Sequence, residues 1–274
     1  MKGEGKLGLM AGVGKRTDLV EKFRTIQAFG IETCQLLVMC EAVDEVFAPD
    51  KVKAACAETG MEITAITAGY GNQAYDTKDG PATLGLVPPA VREERVGLLK
   101  NFSDAIALTG IENIVLHIGF IPDDERDPIY VSFIEMMQDT CTYLKENGQN
   151  ALCETGSELA STLLRTIHDV GTGNLFVNFD TANVILYGKS NPLDAAELFG
   201  EYVRATHLKD GMWPNRDETL GIGTEFGDGA VPFELVIRKL KAKGFNGPWT
   251  IEYEAGGPAD EGVRKAVDLI RPLI

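Results

Sequence analysis

Alternating β and α segments from end to end predict an α/β protein, a single (β/α)8 barrel over residues 1–274. Three observations carry the prediction. About eight short apolar runs alternate with helical stretches, the pattern of a parallel sheet with helical crossovers. A length of 274 residues is ordinary for one such barrel. No convincing glycine-rich nucleotide loop follows the first run, where an open doubly wound sheet usually carries one.

The elements follow in order. The first strand is expected over Leu7–Ala11 and its helix over Asp18–Phe29, with Asp18 as N-cap and Gly30 as stop. The second strand is Ile31–Val38, followed by a helix over Pro49–Thr59 that Gly60 closes. The third is Met61–Ala68, and a long loop then leads to Pro88, Pro89 and a helix ending near Gly110. The fourth, Asn113–Ile118, precedes a helix over Pro128–Glu146. Strand five is Ala151–Glu154 with a helix from Ser157 to Val170. Strand six is Leu175–Asp180 with a helix near Pro192–Tyr202. Strand seven, Ala205–Lys209, leads through a second long loop to a helix over Pro232–Lys243. Strand eight is Trp249–Tyr253, and a last helix runs on from Asp260.

Glycine-rich candidates for nucleotide binding fail. Gly12–Lys15 lacks the phosphate-loop spacing and is followed by Arg16. Gly69–Ala74 fits GxGxxA, but Asp76, Asp79, Gly80 and Pro81 follow instead of a helix.

The formal charge of −15 argues against a nucleic-acid backbone as partner, because phosphate binding needs a basic footprint. No apolar run approaches the roughly 20 residues of a membrane span. The first residues are too weakly apolar for a signal peptide, so a cytoplasmic protein is expected. The five cysteines, odd in number and without a CxxC pair, read as reduced, mostly buried thiols.

The chemistry gathers at strand ends. Glu154, Asp180, His207 and Glu252 each close an apolar run, in ALCETG, LFVNFDTAN, RATHLKDG and PWTIEYEA. Parallel neighbouring strands would bring them to one rim of the barrel, where active sites lie. Three carboxylates and an imidazole suit a divalent cation with open positions. A lone acid at a strand end is often a helix cap or a rim ion pair. Four on successive strands are harder to explain that way. Alternation puts Lys209 on the face of His207, and Thr250 and Glu254 on the face of Glu252. His117 ends strand four and points towards the mouth or sits just below it, whereas His168 falls on a helix as a surface or packing residue. Residues 69–88 and 211–231 follow strands, so both loops belong to the mouth as lids or walls. Tyr70, Tyr75 and Trp213 offer aromatic faces there.

Taken in order, the Glu of strand five, DTAN, HLKDG, FGDGAVPF and IEYE make the chain resemble the xylose isomerase-like TIM-barrel superfamily, in particular its sugar phosphate isomerase/epimerase group. The resemblance implies that Glu154, Asp180, His207 and Glu252 bind one divalent metal ion: Mn2+, Mg2+, Co2+ or Zn2+. It implies that Glu154 and Glu252 flank the reacting carbon of a small polyhydroxylated carbonyl compound as base and acid, through an enediolate. A lyase such as an inosose dehydratase starts with the same proton abstraction, and a non-catalytic sugar-binding barrel is the other alternative. His117, Asn183, Lys209, Trp213 and Arg216 are the substrate-contact candidates. The ketose 3-epimerases of the group carry a histidine where this chain has Asn183, and an arginine where it has Trp213. Arg216 lies nearby in the same loop. A homo-oligomer is compatible with this reading.

Overall fold

The computed structural model describes residues 3–215 and 220–274, so Arg216 lies outside the described residues. Eight parallel strands form the barrel: β1 (Leu7–Gly12), β2 (Thr33–Met39), β3 (Glu62–Gly69), β4 (Asn113–His117), β5 (Asn150–Glu154), β6 (Leu175–Asp180), β7 (Val203–His207) and β10 (Trp249–Ile251). Their spatial order is β10-β1-β2-β3-β4-β5-β6-β7. The two short remaining strands, β8 (Asp210–Met212) and β9 (Ile222–Thr224), pair antiparallel in the loop after β7.

Closure between β7 and β10 is thin. One bridge, Leu208 with Ile251, joins them. It is made by Leu208 N–H donating to Thr250 O at 2.6 Å and Glu252 N–H donating to Leu208 O at 2.9 Å. The Thr206 hydroxyl adds to this seam. It donates to Pro248 O at 3.1 Å and accepts from Thr250 N–H at 3.2 Å.

Local chemistry sets the helices as expected. The Asp18 carboxylate accepts the amides of Val20 and Glu21 and starts the helix Leu19–Gln27. Gly60, at φ 72°, stops Pro49–Thr59 in a left-handed conformation that a side chain disfavours. The helices wrap the barrel, and the main core lies between the two layers: Leu99, Phe102, Phe133, Leu163, Phe199 and Leu240 are all 0% exposed. Each such side chain contributes about 1.5–3 kcal/mol on burial.

Most differences from the sequence reading are at element ends. β7 stops at His207 and β10 at Ile251, so Lys209, Glu252 and Tyr253 lie just beyond their strands. The loop after β3 contains a short helix, Gly80–Thr83, and the loop after β7 contains the β8–β9 hairpin. Neither has enough apolar periodicity to be seen in sequence.

The barrel interior is layered. Ala65, Val115, Leu152 and Ala205 form a dry layer with Phe176 packed against it. Gln35, Asn178 and Thr250 are also buried inside the barrel, where the Gln35 amide donates to both of the others. The carboxylates and His207 sit above them. Among the described residues, no helix is long and apolar enough to cross a membrane.

Candidate metal centre

Glu154, Asp180, His207 and Glu252 each direct one ligand-type atom to a common point, and these atoms lie within 4.8 Å of one another. Adjacent registers place them there. Glu154 pairs with Asn178 across β5–β6, and Asp180 pairs with His207 across β6–β7. The residue after each of Glu154 and Asp180 is a threonine that fastens the strand end. Thr155 Oγ1 donates to Asp180 O and accepts from Asp180 N–H, both at 3.0 Å. Thr181 Oγ1 does the same for Lys209, donating to its O at 2.8 Å and accepting from its N–H at 3.2 Å.

Each ligand is also oriented by its own contacts. Asp180 Oδ1 accepts the backbone N–H groups of Ala182 and Asn183 at 2.8 and 2.7 Å, so it caps the turn as well as facing the cluster. Oδ2 is buried, with the Lys209 ammonium 3.2 Å away and the Glu252 carboxylate close to the Asp180 carboxyl. His207 Nδ1 lies 3.0 Å from Glu154 Oε1 and 3.5 Å from Glu252 Oε2. The other Glu154 oxygen, Oε2, meets His117 Nε2 at 3.2 Å. Lys209 Nζ contacts Glu252 Oε2 at 3.0 Å and Glu254 Oε2 at 2.8 Å, rather than pairing with Asp210.

The electrostatics show strain between like charges. Burial, together with Glu252 and Glu154, pushes Asp180 up to about 8 despite Lys209. Burial disfavours the His207 imidazolium, but Glu154 and Glu252 outweigh it and raise the ring to about 9. Burial raises Glu154 as well, yet His117 and His207 hold it below the ordinary glutamate range. Glu252 is depressed too: burial opposes its charge, but Lys209 and His207 more than offset that. A protein-only site of this kind must retain protons to balance its carboxylates. A divalent cation can replace those protons, and the buried Asp180 carboxyl, beside Glu252 and Lys209, is an acceptor in the cluster. The four residues therefore fit a single hard or borderline divalent ion.

Glu154 and Glu252 line a cavity of about 450 Å3, and Asp180 and His207 are buried beside them. His117, Asn183, Lys209, Glu154, Glu252 and Glu254 supply its polar lining. Met10, Leu37, Leu84, Ile118, Leu186 and Leu220 supply an apolar wall. Tyr75 packs edge-on to His117 with ring centroids 5.1 Å apart, and Tyr187 donates to Tyr75 O at 3.2 Å. Trp213 does not line this cavity and is 41% exposed. Tyr70 is buried under Arg95 and packs the loop rather than the cavity.

The two mouth loops are pinned. From the helix Pro89–Ala107, Arg95 donates to Thr83 O at 2.7 Å and Gly85 O at 2.6 Å, and Arg92 grips Leu86 O and Val87 O. The loop after β3 is thus a wall. In the other loop, the buried Asp210 accepts four main-chain N–H groups. Gly211 and Val231 donate to Oδ1 at 2.9 and 3.2 Å, and Gly227 and Gly229 donate to Oδ2 at 2.9 and 3.0 Å. Asp210 belongs to HLKDG, and three of its donors to FGDGAVPF. One carboxylate therefore ties together two motifs that the sequence presents separately.

Sequence reasoning placed the quartet, Lys209, His117 and Asn183 at one site but missed Gln35. Its signal was available: a lone amide inside the apolar strand TCQLLVM.

The model of the xylose isomerase-like TIM barrel matches residues 23–273. The chain belongs to this family. Among solved members, a xylose isomerase domain protein from Planctomyces limnophilus is 31% identical with a TM-score of 0.86, covering 100% of this chain and 98% of that one. The 3-keto-D-glucoside 4-epimerase YcjR from E. coli is 17% identical with a TM-score of 0.71, covering 97% and 99%. A xylose isomerase-like TIM barrel protein from Mycobacterium smegmatis, in complex with magnesium, is 14% identical with a TM-score of 0.66, covering 97% and 95%. No curated protein matches the sequence.

Proposed function

We propose that this family member is a divalent-metal-dependent isomerase or epimerase of a small sugar or related polyhydroxylated carbonyl compound. The observation that carries the reading is the clustering of Glu154, Asp180, His207 and Glu252, with both glutamates open to one cavity. YcjR, an epimerase of a keto-sugar, is a fold neighbour consistent with it.

The bound cation would supply Lewis-acid polarisation of a substrate carbonyl. Glu154, Asp180, His207 and Glu252 would hold it. Glu154 and Glu252 both face the cavity, and neighbouring cationic groups hold both below the ordinary glutamate range, which suits either to accept a proton from carbon beside the carbonyl. Return of a proton to the neighbouring carbon isomerises the substrate, and return from the opposite carboxylate inverts the original centre. His117 positions Glu154 through Oε2, and Lys209 positions Glu252 and balances negative charge. Asn183 Nδ2 lies 3.5 Å from Glu154 Oε1 at the edge of the cavity, placed to meet a substrate hydroxyl.

Metal analysis of the purified protein beside His207→Ala and Glu154→Gln tests the site. Equal cation binding by wild type and His207→Ala refutes it. Solvent deuterium exchange across a panel of ketoses and inososes tests the chemistry. Incorporation into recovered sugar supports isomerisation or epimerisation. Water loss with an ultraviolet-absorbing enone assigns a lyase instead.

A further inference from the structure

We propose that Gln35 is a positioning residue that fixes His207 with its ring proton on Nε2, and so makes Nδ1 the atom offered to the cation. This rests on the metal-centre reading above.

The argument is one of donors and acceptors. Gln35 and His207 are both 0% exposed, and Gln35 Oε1 lies 3.0 Å from His207 Nε2. Which end of an amide is oxygen is ordinarily an assignment rather than an observation. Here the main chain settles it. Gln35 Nε2 lies 3.3 Å from Thr206 O, a peptide carbonyl that can only accept. The same nitrogen reaches Thr250 Oγ1 at 3.1 Å and Asn178 Oδ1 at 3.3 Å. Turning the amide over would set oxygen against the Thr206 carbonyl. The oxygen must therefore face His207, and since it cannot donate, Nε2 of the ring must.

The packing is arranged for this reach. Gln35 reaches from β2 across the barrel interior to partners on β6, β7 and β10, and small residues share that interior. Ala65 and Ala205 are fully buried inside the barrel, and Gly8 on β1 is smaller still. A Cβ at Gly8 would stand 2.9 Å from Thr250 Oγ1, the hydroxyl that meets the Gln35 amide.

Partners of this kind fix the orientation and tautomer of metal-binding imidazoles, and their loss lowers metal affinity about 10–100-fold. The test uses Mn2+ affinity, read from the free-ion paramagnetic resonance signal, together with long-range 15N–1H correlation of the His207 ring in the Zn2+-loaded protein. Wild type is expected to bind Mn2+ and to show Nε2–H. Gln35→Leu is expected to bind about 10–100-fold more weakly and to lose that signature. Gln35→Glu, its second oxygen protonated to donate to Thr206 O, keeps an acceptor facing Nε2 and retains the Nε2–H resonance, which separates the hydrogen bond from general packing if the leucine variant does not fold. Wild-type Mn2+ affinity in Gln35→Leu, or an Nδ1-protonated ring in loaded wild type, overturns the proposal.

Failure of the metal-centre reading is distinguishable. If wild type binds no cation, the Nε2 proton is still observed in the metal-free protein. There it should lie downfield in wild type and move upfield in Gln35→Leu. No such movement overturns the proposal on its own terms.

Discussion

Asp210→Asn should destabilise the protein through the strap over the mouth, and the size of the effect can be worked out. Asp210 is 1% exposed, and its two oxygens accept four backbone N–H groups. Hydrogen bonds to a charged acceptor contribute about 1.5–3 kcal/mol each, and neutral ones about 0.5–1.5. Asparagine keeps one oxygen, so two bonds weaken by about 1 kcal/mol each and two are lost at about 2 each, roughly 6 kcal/mol in all. Burying a neutral amide avoids several kcal/mol of carboxylate desolvation, which leaves a net loss of about 3 kcal/mol. At about 2 °C per kcal/mol for a chain of this size, Tm falls by about 6 °C in differential scanning calorimetry. Hydrogen exchange should locate the damage at the amides of Gly227 and Gly229. A fall of under about 1 °C, with both amides still protected, would show that the four bonds have no net value and refute the reasoning.

Cation affinity should depend steeply on pH. With Asp180 near 8 and His207 near 9, binding at neutral pH displaces about two protons. Affinity then rises roughly 100-fold per unit below about pH 8, roughly tenfold per unit from 8 to 9, and levels above 9. Titration calorimetry in buffers of different ionisation enthalpy counts the released protons, and an affinity flat from neutral to alkaline pH contradicts the assignment. Gly85→Ala should cost about 3–5 kcal/mol, because φ is 68° and a Cβ would stand 2.2 Å from the Ile118 carbonyl. An unchanged thermal midpoint would show that the backbone at Gly85 separates freely from that at Ile118. Arg95→Met leaves the carbonyls of Thr83 and Gly85 without their charged donor. At about 1.5–3 kcal/mol per bond, cleavage within 71–85 by a trace of protease should quicken at least tenfold, and an unaltered rate argues that the loop is held by other contacts.

What the sequence made legible has a common physical basis. The βα alternation and the ligand quartet were readable because apolar runs bury strands, and a charged group ending such a run is costly without a partner. Asp18 and Gly60 were readable because caps depend on a residue's own side chain or its lack of one. The β8–β9 hairpin was not, since a three-residue strand shows no period. Trp213, a substrate-contact candidate by its count along the chain, is 41% exposed and does not line the cavity. Gln35 escaped because its importance lies in partners far along the chain, at Asn178, Thr206, His207 and Thr250. Only the closed barrel brings them together.

The thin junction between β7 and β10 has a bearing on assembly. His207 ends one of these strands and Glu252 follows the other, so the two ligands face each other across the join. A nascent chain emerging from the ribosome presents Glu154, Asp180 and His207 well before Glu252. The full ligand set exists only after the last strand has docked between its neighbours. A cation that needs all four residues would therefore act as a clasp, rewarding the completed ring and not the unfinished one. At a hundredfold excess over its dissociation constant it would add about 2.7 kcal/mol to the closed form, at the place where the backbone ladder contributes least.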